Sequence, residues 1–327
     1  MDKNPIITIC SVYHSFETRK IMEANYELTK KMNPGVSFTW VLADNTPKNI
    51  DPAEKMPQEG PFQIVPGPEG GLEKMSIKYP GSLSALFLHN NAINIAFKNI
   101  KTRFAISLDS DFYILQKDWI KKAIEHMQKN NLTFLGTPWH PSDYLKFRYF
   151  PCHQCLFVDF EKLKENGYKP EDIDFNPPDG SVKKSPQKRF GKLSLIINMF
   201  YFSERRKIGR DGHTAHKIFE KFHNDGKTRF EVIPAVFKPE KESYPANNLI
   251  YKFNKIFEFF LPDKFCYIPK NKSYYTTVDF KSLGYGEVFG EEFVWQGKPF
   301  GVHVRLQKKI QKGFGLPYII SKLYEMI

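Results

Sequence analysis

Asp109 and Asp111 stand one residue apart where an apolar run of strand length breaks off, in Arg103-Phe-Ala-Ile-Ser-Leu-Asp109-Ser110-Asp111-Phe-Tyr-Ile-Leu115. Two carboxylates beside such a run are costly to bury unless something positive lies between or near them. A divalent cation meets that need, and a cation held by carboxylates at a strand end is placed to grip a diphosphate. Late in the chain, Gly301-Val-His303-Val-Arg305 sets His303 and Arg305 two residues apart, the spacing of one strand face. An imidazole beside carboxylates tilts a site toward Mn²⁺ over Mg²⁺. Arg305 can then meet a diphosphate with its planar fork.

These side chains need a frame. Ile6-Ile-Thr-Ile-Cys10-Ser-Val-Tyr13 is short, apolar and β-branched, the signature of a buried first strand. A helix follows to about Met32 and stops at Asn33-Pro34-Gly35. Phe38 to Ala43 is a second buried strand ending at Asp44, and Phe62 to Val65 a third, followed by the loop Pro66 to Gly71. Apolar residues at helical spacing from Ser82 to Ile100 lead directly into the strand before Asp109. Strands alternating with helices imply right-handed crossovers and a largely parallel sheet, whose ligands lie beyond the carboxyl ends of the strands. Tyr13, Asp44 and the Asp109/Asp111 pair all fall at such ends.

The second half is less regular. Asp118 to Asn130 reads as helix, Thr133 to Gly136 and Cys155 to Phe160 as extended, and the proline-rich segment from Gly167 to Lys192 as a long loop. A helix is expected after Asp211, a strand near Phe230 to Ile233 and another at Lys298 to Arg305, with a final helix from about Pro317. Pro151-Cys152-His153-Gln154-Cys155 holds a CxxC, but no second CxxC accompanies it to complete a structural zinc site. The loop from Gly67 to Gly71 lacks the spacings of dinucleotide and P-loop motifs, so it reads as a lip beside a ligand.

The 327 residues can hold one large α/β domain or two smaller ones, and a formal charge of +12 favours anionic partners. Four cysteines make no disulfide framework. The N-terminus has no signal-peptide pattern and no apolar run reaches bilayer length, so a cytoplasmic setting is expected. Three apolar stretches flanked by cations, Lys192 to Lys207, Leu249 to Leu261 and Leu316 to Ile327, have the character of peripheral contacts with an anionic membrane surface.

Asp109-Ser110-Asp111 has the form of the DxD motif, and the pattern from about residue 6 to 115 resembles the GT-A glycosyltransferases, family 2-like members especially. The resemblance implies a three-layer α/β/α sandwich around a mostly parallel sheet. Residues 1–115 would form the nucleotide-sugar half, and residues 116–327 the acceptor half with a less regular C-terminal region. It further implies that Asp44 contacts the nucleoside and that Asp111 holds Mn²⁺ or Mg²⁺ directly. Asp109 would act through the ribose or a metal-bound water. The segment His89-Asn90-Asn91-Ala92-Ile93-Asn94 would stand before the DxD strand, with Tyr13 and Asn94 beside the donor. His303 would complete the metal shell, and Asp211, in Gly209-Arg-Asp211-Gly-His213, would take a proton from the acceptor, with Glu291 and Glu292 as alternative acids. Asp211 equally suits a helix N-cap. His153 would be an acceptor contact. The partners are a nucleotide-sugar donor and a glycan or lipid-linked acceptor, with an inverting outcome.

Two other classes compete. A sugar nucleotidyltransferase shares the sheet and the metal chemistry but carries a Gly-rich basic loop after its first strand, which Ser11-Val-Tyr-His-Ser15 is not. A basic nucleic-acid-binding protein would suit the charge and the aromatics, but no RNP-like or zinc-finger pattern is present, so nucleic acid is not an expected partner.

Overall fold

The fold grows outward from β1 (Ile7–Tyr13), a β-branched strand buried along its whole length. On one side β1 pairs with β2 (Phe38–Asp44), which pairs in turn with β3 (Phe62–Pro66); on the other it pairs with β4 (Phe104–Leu108). All of these pairings are parallel, with Tyr13 in register with Asp44. The sheet continues past β4 through β7 (Cys155–Asp159), antiparallel, then β6 (Phe134–Gly136) and β8 (Phe230–Val232). The result is a mixed α/β architecture around a mostly parallel sheet, as the alternation of strands and helices leads one to expect. The computed structural model describes residues 4–14, 16–46, 59–69, 71, 82–141, 150–176, 214–238, 274–286, 290–305, 318, 321 and 325.

Alternation along each strand sends side chains to two cores. Ile7, Ile9 and Tyr13 join Trp40, Leu42 and Ile106 on one face, against α1 (Phe16–Met32) and α3 (Trp119–Asn130). Cys10 and Val12 join Val41, Ala43 and Ala105 on the other. There α2 (Ser82–Lys98), α4 (Phe160–Glu165) and α5 (His216–Phe222) contribute Ile93, Leu163 and Ile218. Arg103 ties the base of β4 to the end of β7: its Nε and Nη2 donate to the buried Asp159 at 3.1 and 2.8 Å. Asp159 also accepts from the backbone of Glu161 at 3.0 Å, capping α4.

A second sheet goes beyond the sequence reading. It has five strands in the order β10 (Tyr275–Thr276), β9 (Ala235–Val236), β11 (Glu291–Trp295), β12 (Lys298–His303) and β5 (Phe112–Ile114). The hydrophobic residues that resume after Asp111 do not continue the first sheet; as β5 they leave it for the second. Residues 109–111 are therefore the crossover between two sheets. β12 pairs antiparallel with β5, setting His303 against Phe112 and Gly301 against Ile114. That pairing is close: a Cβ on Gly301 would lie 2.6 Å from the backbone oxygen of Tyr113.

Lys192 to Lys207 and Leu249 to Leu261 lie outside the described residues, as does Asp211; of the final stretch only Tyr318, Ser321 and Glu325 are described. Among the described residues no helix is long and apolar enough to cross a membrane.

Candidate metal centre

The two aspartates are fixed from three directions. Phe112 N donates to Asp109 O at 3.0 Å, closing a tight turn, and Asp109 N donates to Gln154 O at 3.0 Å. Val304 N donates to Asp111 O at 2.9 Å, fastening the turn to the end of β12. Beneath it, Ser11 Oγ donates to Leu108 O at 2.6 Å while accepting from Trp40 Nε1 at 3.0 Å. Asn25, buried on α1, donates to Phe112 O at 2.9 Å. Backbone bonds thus hold the turn, leaving both carboxylates to face a common space.

His303 enters that space from β12. Its Nε2 lies 3.2 Å from Asp111 Oδ1 and 3.9 Å from Asp109 Oδ2. One ligand atom from each of the three residues falls within 4.8 Å of the others, so Asp109, Asp111 and His303 can hold one cation together. Behind the ring, His303 Nδ1 is 3.4 Å from Glu291 Oε2, an ion-pair distance rather than a closed hydrogen bond. Arg305 Nε donates to the same oxygen at 2.9 Å. A carboxylate on the Nδ1 side favours the ring orientation that leaves Nε2 toward the cation seat.

Electrostatics match the geometry. Burial pushes Asp109 up to about 6, with His303 pulling it down, Asp111 adding repulsion and Arg305 opposing it. Burial alone would lower His303, but the charge and hydrogen bond of Asp111, together with Glu291, raise it to about 9. Burial would raise Glu291, yet His303, His140 and Arg305 hold it well below the usual carboxylate range. Without a cation, His303 carries the positive charge that the two acids require. Asp109 Oδ1 is buried and has no hydrogen-bond partner among the described residues, an orphan acceptor that a cation would satisfy.

Several sequence expectations change here. Arg305 does not share a strand face with His303: β12 ends at His303, and Arg305 turns left-handed at φ 56°. It still reaches the site's margin through Glu291 and lays its guanidinium over Trp139, 4.7 Å from the ring centroid. Tyr13 ends β1 as expected, but its side chain is wholly buried in the first core; His14, next along, lies against His89, with 3.2 Å between ring nitrogens. Asn94 is drawn away. Its Nδ2 donates to Asp174 Oδ1 at 2.8 Å and its Oδ1 accepts from Phe175 N at 3.0 Å, clipping residues 174–175 onto α2. The residue of that helix that does reach Asp109 is His89, whose Nε2 lies 3.8 Å from Oδ1. Five positions along a helix turn a side chain about 140°, which separates His89 from Asn94.

Asp44 ends β2, where its Oδ1 accepts from Thr46 N at 2.9 Å and from the Thr46 hydroxyl. Gly67 comes so near that a Cβ there would meet Asp44 O at 2.2 Å; only glycine lets the loop after β3 approach this strand end. His153 stands at the turn before β7, 3.5 Å from Asp109 Oδ2. Of the alternative acids, Glu291 supports His303, and Glu292 accepts from Phe280 N at 2.8 Å, with burial raising its proton affinity. His14 and His89 were not singled out as site residues; the signals were a histidine just past a strand's carboxyl end and another beside a buried helical stripe.

No protein-family model matches this sequence, and no curated protein does. Solved structures with a similar course of chain include a galactosyltransferase and a mannosyltransferase. S. aureus TarS 1–349 is 17% identical with a TM-score of 0.34, covering 54% of this chain and 51% of that one. The galactosyltransferase LgtC, in complex with donor and acceptor sugar analogues, is 8% identical with a TM-score of 0.39, covering 68% and 73%. The mannosyltransferase PcManGT from Pyrobaculum calidifontis, in complex with GDP-Man and Mn²⁺, is 15% identical with a TM-score of 0.33, covering 53% and 49%. The chain thus spans about half the length of the first and third of these structures.

Proposed function

We propose that this chain is a metal-dependent glycosyltransferase of GT-A type that moves a sugar from a nucleotide-sugar donor to a glycan or lipid-linked acceptor. The observation that carries the reading is the meeting of Asp109, Asp111 and His303 beyond the carboxyl ends of β1, β2 and β4, the position where open α/β sheets bind ligands. Two carboxylates and one imidazole suit Mn²⁺, with Mg²⁺ next. A bound cation would neutralise the charge that develops on the diphosphate as the glycosidic bond to the donor breaks.

The residues then divide the work. Asp111 and His303 hold the cation, and Asp109 shares it or meets the donor ribose. Glu291 orients the His303 ring and Arg305 braces Glu291. Asp44, at the end of β2, would contact the nucleoside. The acceptor hydroxyl needs a base for an inverting reaction, and Asp211 is the proposed one; Glu291 is a poor candidate because its neighbours hold its proton affinity low.

Thermal denaturation against UDP-, GDP-, CMP- and dTDP-linked sugars, each with and without Mn²⁺, tests the reading. One donor class should stabilise the chain in a metal-dependent way, by roughly 2.7 kcal/mol at about 100 times its Kd, and Asp111→Asn should abolish that gain. If no nucleotide sugar stabilises the chain with metal present, or if Asp111→Asn responds like the parent, the proposal fails.

A further inference from the structure

Asp109 is approached from two sides. His303 comes from the second sheet, while His89 from α2 and His153 from the turn before β7 come from the other direction. His89 Nε2 lies 3.8 Å from Asp109 Oδ1, and His153 Nε2 lies 3.5 Å from Asp109 Oδ2. Both separations are too long for hydrogen bonds. Each is near the roughly 3.4 Å between neighbouring ligand atoms around a tetrahedral cation with bonds near 2.1 Å, and the two run to different oxygens of the one carboxylate. One ligand atom from each of the three residues lies within 4.8 Å of the others.

The far side of each ring is occupied. His89 Nδ1 is 3.2 Å from His14 Nε2, with the two rings stacked at 5.4 Å between centroids. His153 Nδ1 is 3.2 Å from Cys152 Sγ. Metal-binding histidines almost always engage a partner through the second ring nitrogen, which orients the first. Here two histidines do so and both turn Nε2 toward one carboxylate. That carboxylate carries the orphan oxygen, Oδ1, on the His89 side.

We propose that His89, Asp109 and His153 form a second cation seat, distinct from the Asp111/His303 seat and sharing Asp109 with it, built for a borderline cation of the Zn²⁺ type. Two imidazoles and one carboxylate are a donor set that Zn²⁺ accepts in four-coordinate sites, with the fourth position left to water or a ligand. The other seat, with two carboxylates and one imidazole, is the harder of the two. The inference does not depend on sugar transfer: it concerns cation binding by the resting chain and stands or falls separately from the proposed activity.

The test is Zn²⁺ titration of the metal-stripped full chain in competition with a chromophoric chelator, compared across His89→Gln, His153→Gln, Asp111→Asn and the parent. Gln keeps a polar amide beside His14 or Cys152, and circular dichroism with thermal melting confirms that each variant is folded. The tightest Zn²⁺ affinity should fall about tenfold or more in His89→Gln and in His153→Gln, and stay within about twofold in Asp111→Asn. Co²⁺ in the parent should give the strong visible bands of four-coordinate geometry, and these should be missing from His89→Gln. Folded histidine variants that bind Zn²⁺ like the parent overturn the proposal. So does a pattern in which only Asp111→Asn loses affinity, because Zn²⁺ then occupies the other seat alone.

Discussion

Gly301→Ala removes no candidate ligand and adds one methyl group, yet it should weaken cation binding. The new Cβ would stand 2.6 Å from Tyr113 O and 2.9 Å from Phe112 Cε1. Real Cβ atoms stay at least about 3.0 Å from such neighbours, so β12 must retreat from β5 by about 0.4 Å or more. The obstructing oxygen belongs to the backbone and cannot swing aside. His303 lies two residues on and pairs with Phe112, so the retreat carries its ring away from Asp111, now 3.2 Å distant. That displacement is twice the roughly 0.2 Å tolerance of a metal–ligand distance. Overpacking of this kind costs about 1–3 kcal/mol of stability, and the loosened ligand should lower Mn²⁺ affinity by about tenfold, or about 1.4 kcal/mol. Electron paramagnetic resonance of free Mn²⁺ gives the affinity and urea unfolding gives the stability. Gly297→Ala is the control: φ is 71° there, but its Cβ meets nothing within 4 Å. It should lose stability through backbone strain while binding Mn²⁺ as the parent does. If Gly301→Ala binds Mn²⁺ within about twofold of the parent, strand register does not position His303 as reasoned.

Three further outcomes follow from the same geometry. Glu291→Gln keeps the side chain's size but removes the charge behind His303, so Mn²⁺ affinity should drop by about 10- to 100-fold at pH 8; unchanged affinity by the same titration would mean that the 3.4 Å pairing does not orient the ring. In the cation-free chain His303 stays protonated up to about 9, because Asp111 and Glu291 outweigh its burial. A cation must displace that proton, so Mn²⁺ affinity should rise with pH by up to about tenfold per unit from pH 6.5 to 8.5, read by isothermal titration in buffers of different ionisation enthalpy; a flat profile with no proton released contradicts it. Arg103→Ala strips the fork from Asp159, which is wholly buried. Breaking a buried pair costs about 3–5 kcal/mol, but Arg103 is itself about one-third exposed, so screening brings the expected loss nearer 2 kcal/mol by urea unfolding. A loss under about 0.5 kcal/mol would show that water replaces the guanidinium.

Local pattern alone determined a good deal of this protein. Ile7 to Tyr13, Phe38 to Asp44 and Phe104 to Leu108 are legible as buried strands because a short β-branched run has few other ways to hide its side chains. Once helices alternate with them, the parallel order and the gathering of Asp44, Asp109 and Asp111 at one edge follow from chain geometry. What pattern did not disclose was where the chain goes after Asp111. Phe112 to Ile114 could have extended the first sheet; only long-range pairing with β12 makes it the edge of a second. That pairing brings His303 to Asp111 across 192 residues and puts Glu291 behind its ring. It also leaves Arg305 to turn away at a positive φ where strand alternation would have carried it onward. His89 and Asn94 share one helix, and the choice between them depended on a rotation about the axis that composition does not encode. Periodicity reports which face of an element is apolar. Which polar residues from distant elements end up within 4 Å of one another is decided by register and packing, which exist only once the chain has folded.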